Sequence, residues 1–224
     1  MAADAPVPPP VPGMLFVWTN VDPAYEDDFN RWYDREHLEE RIRIQGMRSA
    51  TRYREASGAR RYLGLYEAAS IDVFRSDAYR RAFQHQTPWS LTNFSRMSDS
   101  VRRVGTVATA AGSGRGAWLA VMRLGREAGP VARGAAAALL SQDGIVAARL
   151  LMPDSELSAP LPAEEMSNRV LDPILLIEAT HEPAAAAAVR SVADESGGCA
   201  GEAGILHLLW RLSAEDFQAA SGGR

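Results

Sequence analysis

Gly112-Ser113-Gly114-Arg115-Gly116 divides the 224-residue chain into two stretches, and apolar runs and helical spacings follow one order on both sides of it. In the first stretch Met14 to Asn20 is an apolar run of strand formers. Helical spacing then follows from Tyr25 to about Arg43, after the helix-start pair Asp22-Pro23, and Gly46 stops it. Met47 to Arg54 alternates as a strand, and Ser57-Gly58 turns the chain into a third, Tyr62 to Ala68. Two short helical pieces, Ile71 to Phe83 and Pro88 to Met97, precede a closing strand from Ser100 to Ala108. In the second stretch Ala117 to Leu124, Gly144 to Met152, Ile174 to Thr180 and Ile205 to Leu212 read as strands, with alanine-rich helices over Val131 to Ser141 and Pro183 to Glu195. The order strand–helix–strand–strand–helix–strand is present twice.

That repetition limits what the chain can fold into. Leu119-Ala120-Val121-Met122 and Ile174-Leu175-Leu176-Ile177 are apolar on both faces, which requires helices on one side of the sheet and a second sheet on the other. The expected fold is α+β: two βαββαβ repeats, 14–111 and 117–213, whose sheets face each other as an intramolecular, pseudo-dimeric α/β barrel with helices outside. Residues 112–116 are the linker, 1–13 a flexible leader and 214–224 a C-terminal tail. Two local echoes support the repeat: Gly46 followed by Ala50 and Arg52 resembles Gly144 followed by Ala148 and Arg149, and Tyr66-Glu67-Ala68 resembles Ile177-Glu178-Ala179. The proline-rich insertion Pro153 to Asp172 is peculiar to the second stretch.

Composition removes several function classes. All 24 basic residues are arginine, so Schiff-base chemistry and a lysine base are excluded. A net charge of −4, without a basic run, argues against nucleic acid as a partner. Cys199 is the single cysteine, which excludes an internal disulfide, and its Gly-rich surroundings offer no base in sequence. No apolar run reaches the roughly 20 residues needed to span a bilayer. Met1 to Gly13, with five prolines and no basic residue, fits neither a signal nor a transit peptide, so a cytoplasmic location is expected. GxGxxG, Walker, GxSxG and CxxC patterns are absent, and no cofactor is expected.

Chemistry-bearing residues gather in the first half. On its first helix Asp34 and His37 are three apart and Tyr33 and His37 four apart, so a carboxylate and a phenol come within reach of an imidazole that can move a proton near neutrality. An ideal wheel also puts Glu36 and Glu40 near the aromatic face of Phe29, Trp32 and Tyr33, where an ionised pair is costly; either a kink near His37 turns them to solvent, the favoured expectation, or one glutamate faces a polar cavity. Trp32, Arg52, Tyr53, Tyr66, His85 and Trp89 are the candidate substrate-binding residues, an aromatic wall with a few polar groups suited to a small, planar ligand. No metal site is expected, because His37, Glu40 and His85 lack any recognisable ligand spacing. His181 and His207 stand alone in the second half, His207 as a core or cavity-wall residue.

The stretch Phe29-Asn30-Arg31-Trp32-Tyr33-Asp34-Arg35-Glu36-His37-Leu38, followed by Gly46-Met47 and Arg52-Tyr53, resembles the EthD-like branch of the dimeric α/β-barrel superfamily, whose halves are ferredoxin-like. The likeness covers about Leu15 to Val107; the proline that often follows the helix histidine by two positions is here Glu39. The resemblance implies a cofactor-independent isomerase, cyclase or lyase acting on a carbonyl or phenolic compound of secondary metabolism or aromatic degradation. His37 would be its general acid/base, and Tyr33, Arg52, Tyr66 or Trp89 would shape the pocket. A non-catalytic binding or accessory protein that shields a hydrophobic metabolite and a cofactor-free monooxygenase are the alternatives, and the expected substrate is aromatic or polyketide-like. The partner expected is a small molecule, bound by a monomeric pseudo-dimer or a homodimer.

Overall fold

The structure, a computed structural model, describes residues 10–125, 129–167, 169–195 and 200–222. Eight strands, β1 (Gly13–Val21), β2 (Met47–Gly58), β3 (Tyr62–Ala68), β4 (Met97–Gly112), β5 (Trp118–Leu124), β6 (Ile145–Pro153), β7 (Ile174–Ala179) and β8 (Ala200–Ser213), close into one barrel. Their order around it is β1-β3-β2-β8-β5-β7-β6-β4, and every pairing is antiparallel. Within the first half the order is β4-β1-β3-β2 and within the second β8-β5-β7-β6, so the halves meet at two seams, β2–β8 and β4–β6.

β2, β4 and β8 run longer than their sequence patterns indicate. Hydrophobic alternation registers one sheet face, whereas these strands continue where they pair across a seam: Thr109 to Gly112 pair with β6, and Ser57 and Gly58 with β8. At the β4–β6 seam the backbones approach so closely that a Cβ on Gly105 would stand 2.0 Å from the Met152 carbonyl oxygen. No other residue type fits there.

Strand alternation sorts the core into layers. Phe16, Trp18, Leu63, Leu65, Leu119, Val121 and Leu176 form a cluster drawn from both halves, which fills the barrel interior. The outward set of the first half packs beneath α1 (Glu26–Trp32), α2 (Leu38–Ile42), α3 (Asp77–Gln84) and α4 (Pro88–Ser95). The second half buries Ala184, Ala185 and Ala188 of α6 (Glu182–Glu195) against β5 and β7, and α5 (Gly129–Leu139) contributes Ala136 and Leu139.

One end of the barrel is closed by charge. Glu178, fully buried, accepts from Arg115 (2.6 Å) and from Arg149, and both arginines also pair with Glu67. These are the two glutamates of the Tyr66-Glu67-Ala68 and Ile177-Glu178-Ala179 echo.

Two expectations change in the structure. Residues expected as a tail form α7 (Ala214–Gly222), whose Phe217 ring lies 4.9 Å beneath the Arg43 guanidinium. The 153–172 insertion, sequentially part of the second half, lies across the first: Leu157, Leu161 and Ala163 join the first-half core, and the Leu157 and Ala159 carbonyls accept from Arg102 (both 2.9 Å). Most of the leader (1–9), Cys199 and residues 223–224 lie outside the described residues. Among the described residues no helix is long and apolar enough to cross a membrane.

Candidate active site

Between α1 and α2 the chain makes one π-helical turn, Tyr33–His37, in which the Leu38 N–H bonds the Tyr33 carbonyl five residues back. This is the break expected near His37, as a widened turn within a continuous helix. A π-turn advances the chain less per residue around the axis. It therefore keeps Tyr33 and His37 on one face, swings Asp34 away from His37 and moves Glu36 off the aromatic face. Glu36, half-buried, accepts from Thr87 Oγ1 (2.6 Å), the side chain that also caps α4. Glu40 is half-buried as well, and its carboxyl is raised by burial, with Arg41 opposing and Glu36 adding to the shift.

His37 is buried in a cage of rings: Trp32 at 4.2 Å between centroids and 33° tilt, with Tyr33 (5.1 Å), Phe94 (5.9 Å) and Tyr66 (6.1 Å) edge-on. Its Nδ1 is buried without a hydrogen-bond partner among the described residues. Burial, and then the Arg41 and Arg52 guanidiniums, hold the imidazole well below its ordinary pKa. At neutral pH it is an uncharged ring with a lone pair available.

The Tyr33 and Tyr66 phenols lie side by side over Gly64, whose missing side chain makes their room: a Cβ there would stand 3.2 Å from the Tyr66 hydroxyl and 3.3 Å from that of Tyr33. Burial raises both phenols, with Arg52 opposing for Tyr33 and Tyr33 itself adding for Tyr66. Both therefore remain protonated donors. His37, Tyr33 and Tyr66 line a cavity of about 320 Å³ between the outer face of the sheet and the helices, with Leu15, Val17, Phe94 and Met97 as apolar wall and Leu161 and Pro162 of the insertion beside them.

The other expected site residues are distributed differently. Asp34 is turned from His37: its Oδ1 accepts from Arg52 (3.1 Å) and from Trp210 Nε1 (2.8 Å). Arg52 is buried beneath the pocket, 4.2 Å from the Tyr33 ring centroid, and also bonds Asn30 Oδ1 (2.8 Å). Trp32 backs the His37 ring and donates to Ser90 Oγ (3.0 Å), so it supports the imidazole without lining the cavity. Tyr53 points into the barrel interior, across the sheet from His37, because neighbouring strand residues face opposite sides and Arg52 takes the pocket side. His85 is exposed at the end of α3, and Trp89 donates to Asp28 Oδ2 (3.2 Å) on the far side of α1; neither lines the cavity. His207 is exposed against Trp118, and His181 caps α6 by accepting from the Ala184 N–H (3.2 Å). Among the described residues no three potential metal ligands come together, so His37, Glu40 and His85 do not converge.

Sequence reasoning missed Arg41, Gln86 and Arg102. All three line the cavity, and Arg41 and Arg102 are buried. An arginine near a helix end looks like a surface residue, yet Arg41, four positions after His37, shares its helix face.

No protein-family profile matches the chain, and no curated protein matches its sequence. Solved structures do match its fold. An anthrone oxidase-like protein superposes with a TM-score of 0.62 at 13% identity, covering 91% of this chain and 93% of that one. A candidate monooxygenase from Lactobacillus acidophilus NCFM gives 0.53 at 6% identity over 91% and 97% of the two chains. A variant of chlorite dismutase from Candidatus Nitrospira defluvii gives 0.51 at 10% identity over 87% and 91%. At such identities the likeness is one of fold alone: the chain shares the dimeric α/β-barrel architecture of these structures.

Proposed function

We propose that the chain is a small-molecule enzyme of the EthD-like kind, in which two fused ferredoxin-like copies, 14–111 and 117–213, build one barrel and the first carries the active cavity. The matching strand orders of the two halves support the fusion, and the alanine-packed second half supports a purely structural role for it. The reaction is cofactor-independent proton transfer on a carbonyl or phenolic compound, as in an isomerase, cyclase or lyase.

The observation that carries this reading is a neutral, partly unsatisfied imidazole set beside two protonated phenols in an apolar cavity. His37 takes a proton from carbon next to a carbonyl, and the electron pair moves onto the carbonyl oxygen. The Tyr33 and Tyr66 hydroxyls are the donors available to that oxyanion. Returning the proton to another carbon completes an isomerisation.

A second reading is favoured by the likeness to the anthrone oxidase-like protein. The same carbanion would react with O2, turning anthrone and O2 into anthraquinone and water.

Anthrone tests both. Without oxygen, in D2O, the protein is expected to accelerate deuterium uptake at C10, and His37→Ala to abolish the acceleration while keeping the far-UV spectrum. Oxygen uptake with anthraquinone release in air selects the second reading. Exchange that is equally fast with and without His37 overturns both and leaves the binding-protein reading.

A further inference from the structure

We infer that the ligand of this cavity is an anion, an aromatic carboxylate whose charged group pairs with Arg41. The inference rests on the cavity being the substrate site, as proposed above, and adds the substrate class.

Four arginines are buried in the described residues: Arg41, Arg52, Arg102 and Arg103. Arg52 has Asp34 as counter-ion and Arg103 has Glu164. No carboxylate of the described residues comes within ion-pair distance of Arg41 or Arg102. Glu40 acts on Arg41 only from beyond that distance, and the two guanidiniums line the same cavity, whose remaining wall is largely apolar. A buried charge needs a partner, because removing it from water costs more than hydrogen bonds to neutral groups return. The missing counter-charge belongs in the cavity.

The two arginines have different parts. Arg102 spends its donors on the Leu157 and Ala159 carbonyls and on the Tyr79 hydroxyl (3.1 Å), which leaves its charge to act at a distance. Among the described residues Arg41 makes one side-chain hydrogen bond, from Nη2 to Gln86 Oε1 (3.1 Å), and its Nε is buried with no partner. A guanidinium with donors to spare is the group that takes a carboxylate. The apolar walls at Leu15, Val17, Phe94 and Leu161 suit the aromatic body attached to it.

The test compares 2-naphthoate with 2-naphthamide, equal in shape and differing in charge, by calorimetric titration of the full chain. The acid is expected to bind about tenfold or more tightly than the amide, as for a charge-assisted hydrogen bond. Arg41→Gln should bring the two within about twofold. Gln86→Glu, which supplies a carboxylate beside an intact Arg41, should do the same and decides the matter if Arg41→Gln does not fold. Equal binding of acid and amide to the wild type, no binding of either up to about 1 mM, or a preference that survives both substitutions overturns the inference. His37→Ala should leave the acid-to-amide ratio unchanged. Loss of the ratio with His37-dependent deuterium uptake intact would sink the anion and spare the enzyme; the reverse pattern would spare the anion and sink the enzyme.

Discussion

The His37 imidazole rests on the Trp32 indole, ring centroids 4.2 Å apart, and Trp32 is itself fixed by its hydrogen bond to Ser90. A ring held this way in an apolar cage cannot hydrate a positive charge. The proposed base is consequently uncharged before it acts, and protonating it in the resting protein works against the fold.

Stability should therefore carry a histidine signature. The folded pKa of His37 lies well below the ordinary 6.5, so as pH falls below that value the unfolded chain takes up a proton that the native one refuses. Stability is full above about pH 6.5 and falls as the pH drops toward about pH 5, with a slope of up to about 1.4 kcal/mol per pH unit from this group. Thermal melts of wild type and His37→Phe across that window check it: the variant should show a flatter acid limb. Parallel limbs would mean that the ring is solvated.

Asp34→Asn separates support from catalysis. Because the carboxylate bonds Arg52 and Trp210 and is turned from His37, its loss should cost about 1 kcal/mol in urea denaturation, as expected for a half-exposed ion pair. The dependence of deuterium uptake on pH should keep its midpoint. A shifted midpoint would put Asp34 back beside the imidazole.

At Gly64 the expectation is a functional loss at small structural cost. A methyl group there presses on the Tyr33 and Tyr66 hydroxyls at 3.3 and 3.2 Å, which yield by a few tenths of an ångström. Gly64→Ala should slow proton transfer about tenfold or more while costing under about 2 kcal/mol of stability, since misplacement of a donor is felt in the transition state first. Unaltered exchange would show that the phenols do not serve the oxyanion.

The closed end of the barrel predicts a large effect from one side chain. Glu178→Ala leaves Arg115 and Arg149 facing each other with only Glu67 between them, and should cost about 3–5 kcal/mol. Glu67→Ala should cost less, because Glu67 is partly exposed. Burial raises the Glu67 carboxyl, but Arg115 and Arg149 outweigh it and hold the group below its usual range. The support it gives is present above the ordinary carboxylate pKa and is lost as pH falls through the lowered one. Chemical denaturation of the two variants near neutrality gives the ranking directly.

Much of the fold was legible because strand alternation and helical spacing are short-range signals. The element order could be read from the apolar runs and helical spacings along the chain, and the aromatic helix face and the need for a break near His37 from Phe29, Trp32, Tyr33 and Glu36. What could not be read depends on contacts distant in sequence. A π-turn has no local residue code, so Asp34 looked like the partner of His37, and Arg41 looked like surface because the groups around it, such as Gln86, are distant in sequence. Tyr53 was placed beside Arg52 although alternation sends them to opposite faces of β2. The insertion gave no sign that its Leu161 would lie against a pocket built by the other half.

Both seams of the barrel, β2–β8 and β4–β6, join strands of one polypeptide. A barrel assembled from two separate chains obeys mass action and falls apart below its dissociation constant. Here closure is a unimolecular step. Dilution cannot open it.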